Sequence, residues 1–467
     1  MKKRVNNRRA FIQRVGGAAL GALAAPAILR AENARKRPNI LYIFTDQQFA
    51  GAMSCAGNPY VKTPALDALA AAGTRFTEAY TACPVCSPAR ASMLTGLYLH
   101  EHGVIINDRR IRADRATVSI EHLLTAQGYE CAYAGKWHLA KGQILEGDEL
   151  QQHPYRVLCG MNDTRVSAAC AQFLAEQHDR PFLLVASYLN PHDICHWPLR
   201  VAGRKSFDAV ENPPPLPANF AIPENEPTIL RQRYLTERHQ SHAKLTPDLW
   251  RQYIAAYYRY VEKVDAEIGK VLAALRQTGL AENTLVIFSS DHGDGMGAHQ
   301  WLQKCSHYEE SVRVPFIVSF PGRIRAGAVD TAHLVASCQD FYATALDYAG
   351  VEIPAGCSGR SVRSLAEEGS AKHWRDELVS EIWVPGDRQT AWDVTFGRMV
   401  RTARYKYAIY NEGERREVLF DMETDRLEMR NLASDPARAT ALREHRQRLA
   451  SWCAATNDTT FIPALIA

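Results

Sequence analysis

The sequence predicts an α/β fold with a second, smaller unit at the carboxyl end. Three continuous apolar runs, at 39–45, 181–188 and 284–290, are typical of parallel strands buried on both faces. A helical spacing of aromatic and aliphatic residues marks 249–275, and its tyrosine stripe is interpreted as core. Beyond residue 370 the pattern changes to alternation of apolar and polar residues, which favours antiparallel strands followed by a closing helix.

Composition and charge indicate a large soluble protein that does not bind nucleic acid. The chain has 467 residues, of which 46% are hydrophobic and 23% charged, as in ordinary globular proteins. Its formal net charge is +4, but residues 1–34 hold seven Lys or Arg and one acid, Glu32. The basic excess therefore belongs to the leader. The eleven cysteines are scattered, which excludes a small disulfide scaffold and leaves their pairing open.

Residues 1–34 predict a signal peptide of the twin-arginine type. The segment 7–12 resembles the twin-arginine export motif, and an uncharged run rich in Ala and Gly follows at 15–29. That run is too short and too weakly apolar for a transmembrane helix. We expect the export machinery as a partner and a periplasmic or secreted protein after cleavage, with no stable membrane span. A disordered basic tail is the alternative interpretation.

The first predicted strand, 39–45, ends directly in Asp46. Ligands of open α/β sheets bind at the carboxyl ends of strands, so Asp46 is a candidate metal ligand, although it could also be a helix cap. A capped helix that starts at Thr63, with Pro64 in its first turn, is predicted over 63–70. A short strand over 75–80 then leads into the segment with the most specific pattern.

That segment holds Cys86, Pro88 and Arg90, followed by Leu-Thr-Gly. Arg90 comes one helical turn after Cys86 and would share its helix face. Pro88 suits the first turn of a helix, whose N–H groups and positive dipole end favour an anion. Taken alone, Cys83-x-x-Cys86 could equally be a redox or metal-binding pair.

Later strand ends carry further cations, imidazoles and acids. Because parallel strands end at one edge of a sheet, we expect these side chains to lie near Asp46. They are Lys136 and His138 after a strand at 129–134, His192 after 181–188, Asp291 and His292 after 284–290, and Lys304 in the loop beyond.

Together these motifs resemble the type I sulfatases, whose signature is Cys-x-Pro-x-Arg. In that family the cysteine is oxidised after translation to formylglycine, and Gly-Lys-Trp-His and Pro-His motifs recur further along. The resemblance runs from about Pro38 to the end of the chain. It implies the alkaline-phosphatase-like fold: a large mixed sheet sandwiched by helices, with a smaller C-terminal domain of antiparallel sheet plus helix. The implied bounds are 37–365 for the catalytic domain and 370–467 for the C-terminal subdomain.

The resemblance also implies hydrolysis of sulfate monoesters on a sulfated saccharide, through a formylglycine hydrate nucleophile and a covalent sulfate intermediate. The implied cofactor is one divalent cation, Ca²⁺. The family commonly has a second acid at the position of Gln47 and an amide at that of His292, so the identity of the metal is open. The implied catalytic residues are Cys86, Arg90, Lys136, His138, His192 and Lys304, and the implied metal ligands are Asp46, Gln47, Cys86, Asp291 and His292.

The same resemblance implies a formylglycine-generating enzyme as a partner during maturation. Gln47 with His292 keeps a phosphonate monoester or phosphodiester hydrolase of the same fold open as an alternative. An inactive sulfated-sugar-binding relative would keep Cys86 unmodified. A reductase built on Cys83 and Cys86 would lose its activity on Cys83→Ser.

Overall fold

The computed structural model describes residues 37–140, 142–197, 209–230, 245–385 and 394–459. The predicted signal peptide, 1–34, lies outside the described residues. The strands are β1 (Asn39–Asp46), β2 (Thr74–Phe76), β3 (Ala79–Tyr80), β4 (Glu130–Gly135), β5 (Arg156–Cys159), β6 (Phe182–Pro191), β7 (Thr284–Ser290), β8 (Phe316–Ser319), β9 (Ala328–Asp330), β10 (Val335–Ala336), β11 (Glu377–Pro385), β12 (Val394–Thr402), β13 (Tyr405–Tyr410) and β14 (Glu417–Asp421).

A mixed sheet of eight strands forms the centre of the fold, in the order β5-β4-β6-β1-β7-β8-β2-β9. Strands β5, β4, β6, β1 and β7 are parallel. Strand β8 is antiparallel to both of its neighbours, β7 and β2. The parallel arrangement brings the carboxyl ends of β1, β4, β6 and β7 to one edge, as the sequence predicts.

Strand β1 shows why its sequence is a continuous apolar run. Ile40, Tyr42 and Phe44 pack into one hydrophobic core, whereas Leu41 and Ile43 pack into another on the opposite face. All eight residues of the strand are buried. Since successive side chains of a strand point to opposite faces, a strand covered on both sides must be apolar throughout.

Helices cover both faces of this sheet. They are α1 (Pro64–Ala71), α2 (Cys86–Thr95), α3 (Leu99–His102), α4 (Ala113–Ala116), α5 (Ile120–Ala126), α6 (Gly147–Gln152), α7 (Asp163–Ala175), α8 (Pro247–Gln277), α9 (Glu309–Val312), α10 (Ser337–Ala349), α11 (Arg363–Glu368) and α12 (Ala439–Thr456). One face of the sheet is covered by α1, α7 and α8, and the other by α2, α5 and α10.

The C-terminal unit is a four-stranded antiparallel sheet, β11-β12-β13-β14, with α12 packed on one face. Its other face packs against residues of the large unit, among them Tyr80 and Tyr308. Buried ion pairs join the two units, with Lys406 Nζ 3.0 Å from Glu309 Oε1. The observed architecture therefore confirms the predicted fold class; the domain bounds at 365 and 370 stay a prediction.

Three local expectations are wrong or incomplete. The segment 75–80 forms two strands, β2 and β3, in different sheets. Thr63 makes no side-chain cap for α1, because its hydroxyl bonds Ser54 and Asp67 instead. Strand β11 was not predicted, since the buried charge of Glu381 interrupts its apolar pattern.

Every helix among the described residues is too short or too polar to span a lipid bilayer.

Candidate active site

Cys86 is the first residue of α2 and is fully buried. Val85 precedes it in an extended conformation, so the helix begins at the cysteine, and Pro88 lies in the first turn as predicted. The Sγ atom is 2.9 Å from Lys304 Nζ, 3.2 Å from His292 Nε2 and 3.6 Å from Asp46 Oδ1. The thiol therefore lies where the ends of β1, α2 and the loop after β7 meet.

The surroundings of Cys86 favour negative charge at this position. Burial alone raises the pKa of the thiol, but Lys304, Lys136 and His292 outweigh burial and hold that pKa well below its ordinary value. The imidazoles of His138 and His192 also interact with the Cys86 side chain and affect the protonation of this group. An anionic group at residue 86 is therefore stabilised from several sides.

Arg90 lies one turn further along α2 and is 3% exposed. Its guanidinium donates to Asp291 Oδ2 at 3.0 Å and to Asp46 Oδ2 at 2.9 Å. The remaining donors reach the Lys136 carbonyl at 2.7 Å and the Ser187 hydroxyl at 3.0 Å. Arg90 thus connects the ends of β1, β4, β6 and β7 in one hydrogen-bond network.

Asp46 receives a second cation. Lys136 Nζ donates to Asp46 Oδ2 at 2.7 Å and is almost completely buried. Burial and the Cys86 charge raise the pKa of Asp46, but Lys136, His192 and Arg90 lower it more, so it lies below its ordinary value. Burial and the charge of Asp46 leave the pKa of Asp291 raised. The two cations therefore stabilise the ionised form of Asp46 in particular.

Four of the predicted metal ligands form a tight group. The candidate donor atoms of Asp46, Cys86, Asp291 and His292 lie within 4.8 Å of one another, and all four residues are buried. His292 Nδ1 donates to the Gly293 carbonyl at 2.9 Å, which leaves Nε2 facing the group as the candidate ligand atom. Two carboxylate oxygens and an imidazole nitrogen are a suitable donor set for a divalent cation.

The comparisons with known proteins identify the family. A family model described as Sulfatase matches residues 38–351, well over half of the chain. The chain belongs to the sulfatase family. A second model, described as N-sulphoglucosamine sulphohydrolase, C-terminal, matches residues 297–454.

Named relatives of this sulfatase span most of its length. It is 31% identical over 444 residues to a Delta 4,5-hexuronate-2-O-sulfatase from Bacteroides thetaiotaomicron, covering 92% of this chain and 91% of the relative. An ulvan-active sulfatase from Formosa agariphila is 30% identical over 432 residues, which cover 86% and 78% of the two chains. A solved structure of a 2-O GAG sulfatase superposes with a TM-score of 0.81 at 28% identity, covering 90% and 93% of the two chains. The protein is therefore an enzyme that hydrolyses sulfate esters.

Gln47 takes a different place in this sulfatase from the other predicted ligands. Its side-chain nitrogen donates to Asp294 Oδ2 at 2.7 Å, and its side-chain oxygen accepts from Cys195 Sγ at 3.4 Å. Its backbone N–H donates to Asp291 Oδ1 at 3.1 Å. Gln47 thus contacts the group through its main chain, and coordination by its amide oxygen stays a prediction.

Gln47 is held by hydrogen bonds to residues that the sequence analysis did not assign to the site. Asp294 accepts from Gln47 and, through both carboxylate oxygens, from the Tyr253 hydroxyl at 2.9–3.0 Å. Tyr257 donates its hydroxyl to the Gln47 carbonyl at 2.7 Å. The tyrosine stripe of α8 is core, as predicted, but its hydroxyl groups also reach the site. One signal in the sequence could have indicated this contact. The two tyrosines are four residues apart on a predicted helix, next to a site rich in acids.

Lys304 lies on an unusual loop. Five non-glycine residues between 296 and 305 have φ between 52° and 73°, a left-handed conformation that side chains disfavour. The loop is held by backbone bonds, including Gly297 N–H to the Trp301 carbonyl at 2.9 Å and Cys305 N–H to the Pro84 carbonyl at 3.2 Å. These bonds place the Lys304 ammonium beside Cys86 although the two residues are far apart in sequence.

Cys83 does not share the environment of Cys86. Cys83 and Cys86 both carry free thiols. Burial raises the pKa of the Cys83 thiol, whereas that of Cys86 is lowered. Cys83 packs in the hydrophobic core. This arrangement therefore does not favour a redox pair between Cys83 and Cys86.

Proposed function

We propose that this sulfatase removes sulfate from a sulfated saccharide, with Cys86 matured to formylglycine. The observation that carries the proposal is the single buried thiol at the start of α2, which Lys304 and His292 contact directly. The saccharide is supported by two relatives named as a hexuronate-2-O-sulfatase and an ulvan-active sulfatase.

The residues around position 86 fit a formylglycine. The Cys86 sulfur stands where the oxygens of a hydrated aldehyde would lie. Lys304 Nζ already contacts it, and the imidazoles of His138 and His192 interact with the same side chain. A hydrated aldehyde supplies one hydroxyl that attacks sulfur and a second that later releases sulfate as the carbonyl reforms. The protein supplies the proton acceptors, the donors and the fixed position.

Lys304 is the residue best placed to protonate the leaving oxygen. Burial lowers the pKa of its ammonium, but Cys86 and Asp46 raise it more, so it remains a protonated donor. The thiolate charge contributes to that shift, and an uncharged hydrate would raise the pKa less. The ammonium also neutralises charge on the sulfate oxygens as the ester bond breaks.

His138 and His192 serve proton transfer at residue 86. Burial lowers the pKa of His192, so its imidazole is neutral near pH 7 and can accept a proton.

Arg90 and Lys136 hold the carboxylates. The donors of the Arg90 guanidinium contact protein groups, and Lys136 Nζ donates to Asp46. In this arrangement they position Asp46 and Asp291.

We further propose Ca²⁺ as the resident cation, held by Asp46, Asp291, His292 and residue 86. A bound cation would withdraw charge from the sulfate oxygens and favour an ionised hydroxyl at residue 86. The support is the donor group within 4.8 Å, whose carboxylates suit a hard cation. Dialysis against EGTA should abolish turnover and Ca²⁺ should restore it; restoration by Mn²⁺ or Zn²⁺ but not Ca²⁺ would show that the assigned ion is wrong.

Export stays a proposal that depends on the leader. The twin-arginine-type segment and the uncharged run that follows support transport of the folded chain to the periplasm. Replacing Arg8 and Arg9 with Lys should retain the protein in the cytoplasm in a fractionation experiment. Unchanged export would contradict a twin-arginine signal.

The central experiment combines the mass of the peptide containing residue 86 with turnover. Conversion of the thiol to an aldehyde lowers the mass by about 18 Da, outside the usual cysteine oxidation ladder. Matured enzyme should release sulfate from defined sulfated saccharides. Turnover confined to small aryl or alkyl sulfates would refute the saccharide.

Two alternatives have distinct outcomes in the same assays. A phosphonate monoester or phosphodiester hydrolase would cleave an aryl phosphonate faster than the matching aryl sulfate. An inactive binding relative would retain an unmodified Cys86 and bind sulfated sugars without turnover.

A further inference from the structure

A second cluster of metal-ligating side chains lies apart from the residues around Cys86. Glu121 and His122 occupy the first turn of α5, and His153 lies in the connection between α6 and β5. The Glu121 Oε1 atom is 2.6 Å from His153 Nδ1 and 3.3 Å from His122 Nδ1. One candidate ligand atom from each of the three residues lies within 4.8 Å of the others.

Hydrogen bonds among the described residues do not satisfy every polar atom of this cluster. Glu121 is fully buried, and its Oε2 atom has no hydrogen-bond partner among the described residues. The Nδ1 atom of His122 is also buried, and it lies 3.3 Å from Glu121 Oε1, the oxygen that His153 already contacts. Buried polar atoms are nearly always paired, and a bound ion or water is one of the few explanations when they are not. Ion pairs of Glu121 Oε1 with His122 and His153 would leave the Glu121 Oε2 atom unexplained.

We propose that Glu121, His122 and His153 bind one transition-metal ion of the zinc type. Zinc takes imidazole nitrogen and carboxylate oxygen at about 2.0–2.2 Å, so tetrahedral ligands lie about 3.4 Å apart. The His122 separation of 3.3 Å already matches, and the His153 separation of 2.6 Å must open by less than 1 Å. Two imidazoles disfavour Ca²⁺, which takes oxygen ligands.

The cluster also has an entry path. The side chain of His122 is 32% exposed, whereas those of Glu121 and His153 are 0% and 3% exposed. Water can therefore occupy the remaining coordination position on the His122 side. A half-open site of this kind takes up metal after folding.

The ion would brace the segment that carries two of the proposed catalytic residues. The ring of His153 packs edge-on against Trp137, with centroids 4.9 Å apart. Trp137 is buried and lies between Lys136 and His138 in the chain. Fixing His153 thus restrains the turn that follows β4, without contact between the ion and the substrate.

Zinc content and thermal stability of the full-length matured enzyme test this site. After dialysis against chelator, the protein is titrated with ZnCl₂ alone, and bound zinc and calcium are measured by mass spectrometry. His122→Ala is the main variant because the partly exposed side chain is the least needed for folding; Glu121→Gln is the second. The matched control is His333→Ala. His333 Nδ1 also pairs with a carboxylate, Asp330 Oδ2, at 2.8 Å, and its side chain is 28% exposed, but among the described residues it belongs to no group of three candidate metal ligands.

Wild type and His333→Ala should retain one zinc per chain that both site variants lose, with the affinity lowered on the order of 100-fold or more. Zinc should raise the melting temperature of the first two proteins but not of His122→Ala. Equal zinc binding by wild type and both variants would overturn the proposal, since the zinc would then occupy the Cys86 site. Absence of zinc binding by the wild type would overturn it as well.

Discussion

Arg90→Lys should weaken both the fold and the reaction, although the charge is kept. The guanidinium donates to four groups on four different chain segments, and the side chain is 3% exposed. A lysine ammonium has three donors at a single point and cannot reproduce the planar fork. At least one of the four hydrogen bonds is therefore lost, and the others cannot all keep their present geometry.

The expected cost is large because the lost bonds are buried and charged. Hydrogen bonds to charged groups contribute about 1.5–3 kcal/mol each, and breaking a buried ion pair costs about 3–5 kcal/mol. We expect the free energy of unfolding to fall by about 3–5 kcal/mol, or roughly 6–10 °C in Tm at about 2 °C per kcal/mol. A shift of Asp46 and Asp291 by about 1 Å should lower kcat/KM about 100-fold.

The assay pairs thermal melting with hydrolysis of an aryl sulfate. The control is Arg156→Lys, since Arg156 also binds a carboxylate through two nitrogens, at 2.6 and 2.8 Å from Glu176, but is 48% exposed. That exposed pair should contribute less than about 1 kcal/mol. If Arg90→Lys melts within 2 °C of Arg156→Lys and retains the wild-type kcat/KM, the inference that this hydrogen-bond network holds the site is wrong.

Three further predictions concern other residues. Cys86→Ala should abolish turnover, whereas Cys83→Ala should keep it within about twofold because Cys83 is a core residue; loss of activity in both variants would indicate a redox pair. Lys304→Met should lower kcat/KM by about 10²–10⁴-fold for an alkyl sulfate and much less for 4-nitrophenyl sulfate, which needs no proton on its leaving group; equal losses would remove Lys304 from that role. Burial lowers the pKa of His102 from 6.5 to about 3, so the unfolded chain binds the proton first, and the stability present above pH 6.5 is lost on acidification. This residue should contribute about 2 kcal/mol to the decrease in the free energy of unfolding between pH 7 and 5, and that decrease should be smaller in His102→Asn when unfolding is measured at both pH values.

Much of the site could be predicted because its residues follow strands that the pattern identifies. Asp46, Lys136, His192 and Asp291 each lie at or just beyond the carboxyl end of a strand, and parallel strands bring those ends together. The contacts of Gln47 could not be predicted. They depend on Asp294 and Tyr253, and the tyrosine comes from a helix more than 200 residues along the chain.

The C-terminal unit shows the same limit. Strands β12, β13 and β14 alternate clearly and were predicted, but β11 was not. Its Glu381 is fully buried, and its charge is compensated by Arg398 at 3.1 Å. A single-sequence pattern interprets such a buried acid as a loop residue, since the compensating partner comes from another strand.

By itself, the sequence determined the α/β class of the fold and the order of the strand-end motifs, because these depend on local periodicity and short-range spacing. The resemblance to the sulfatases added the expectation that Cys86 is the nucleophile. Only the tertiary structure decided which charges meet: that Arg90 and Lys136 bond the carboxylates, that Lys304 reaches Cys86, and that two histidines converge on Glu121. The physical reason is that electrostatic and hydrogen-bond energies depend on distance and burial in three dimensions, which separation along the chain does not specify.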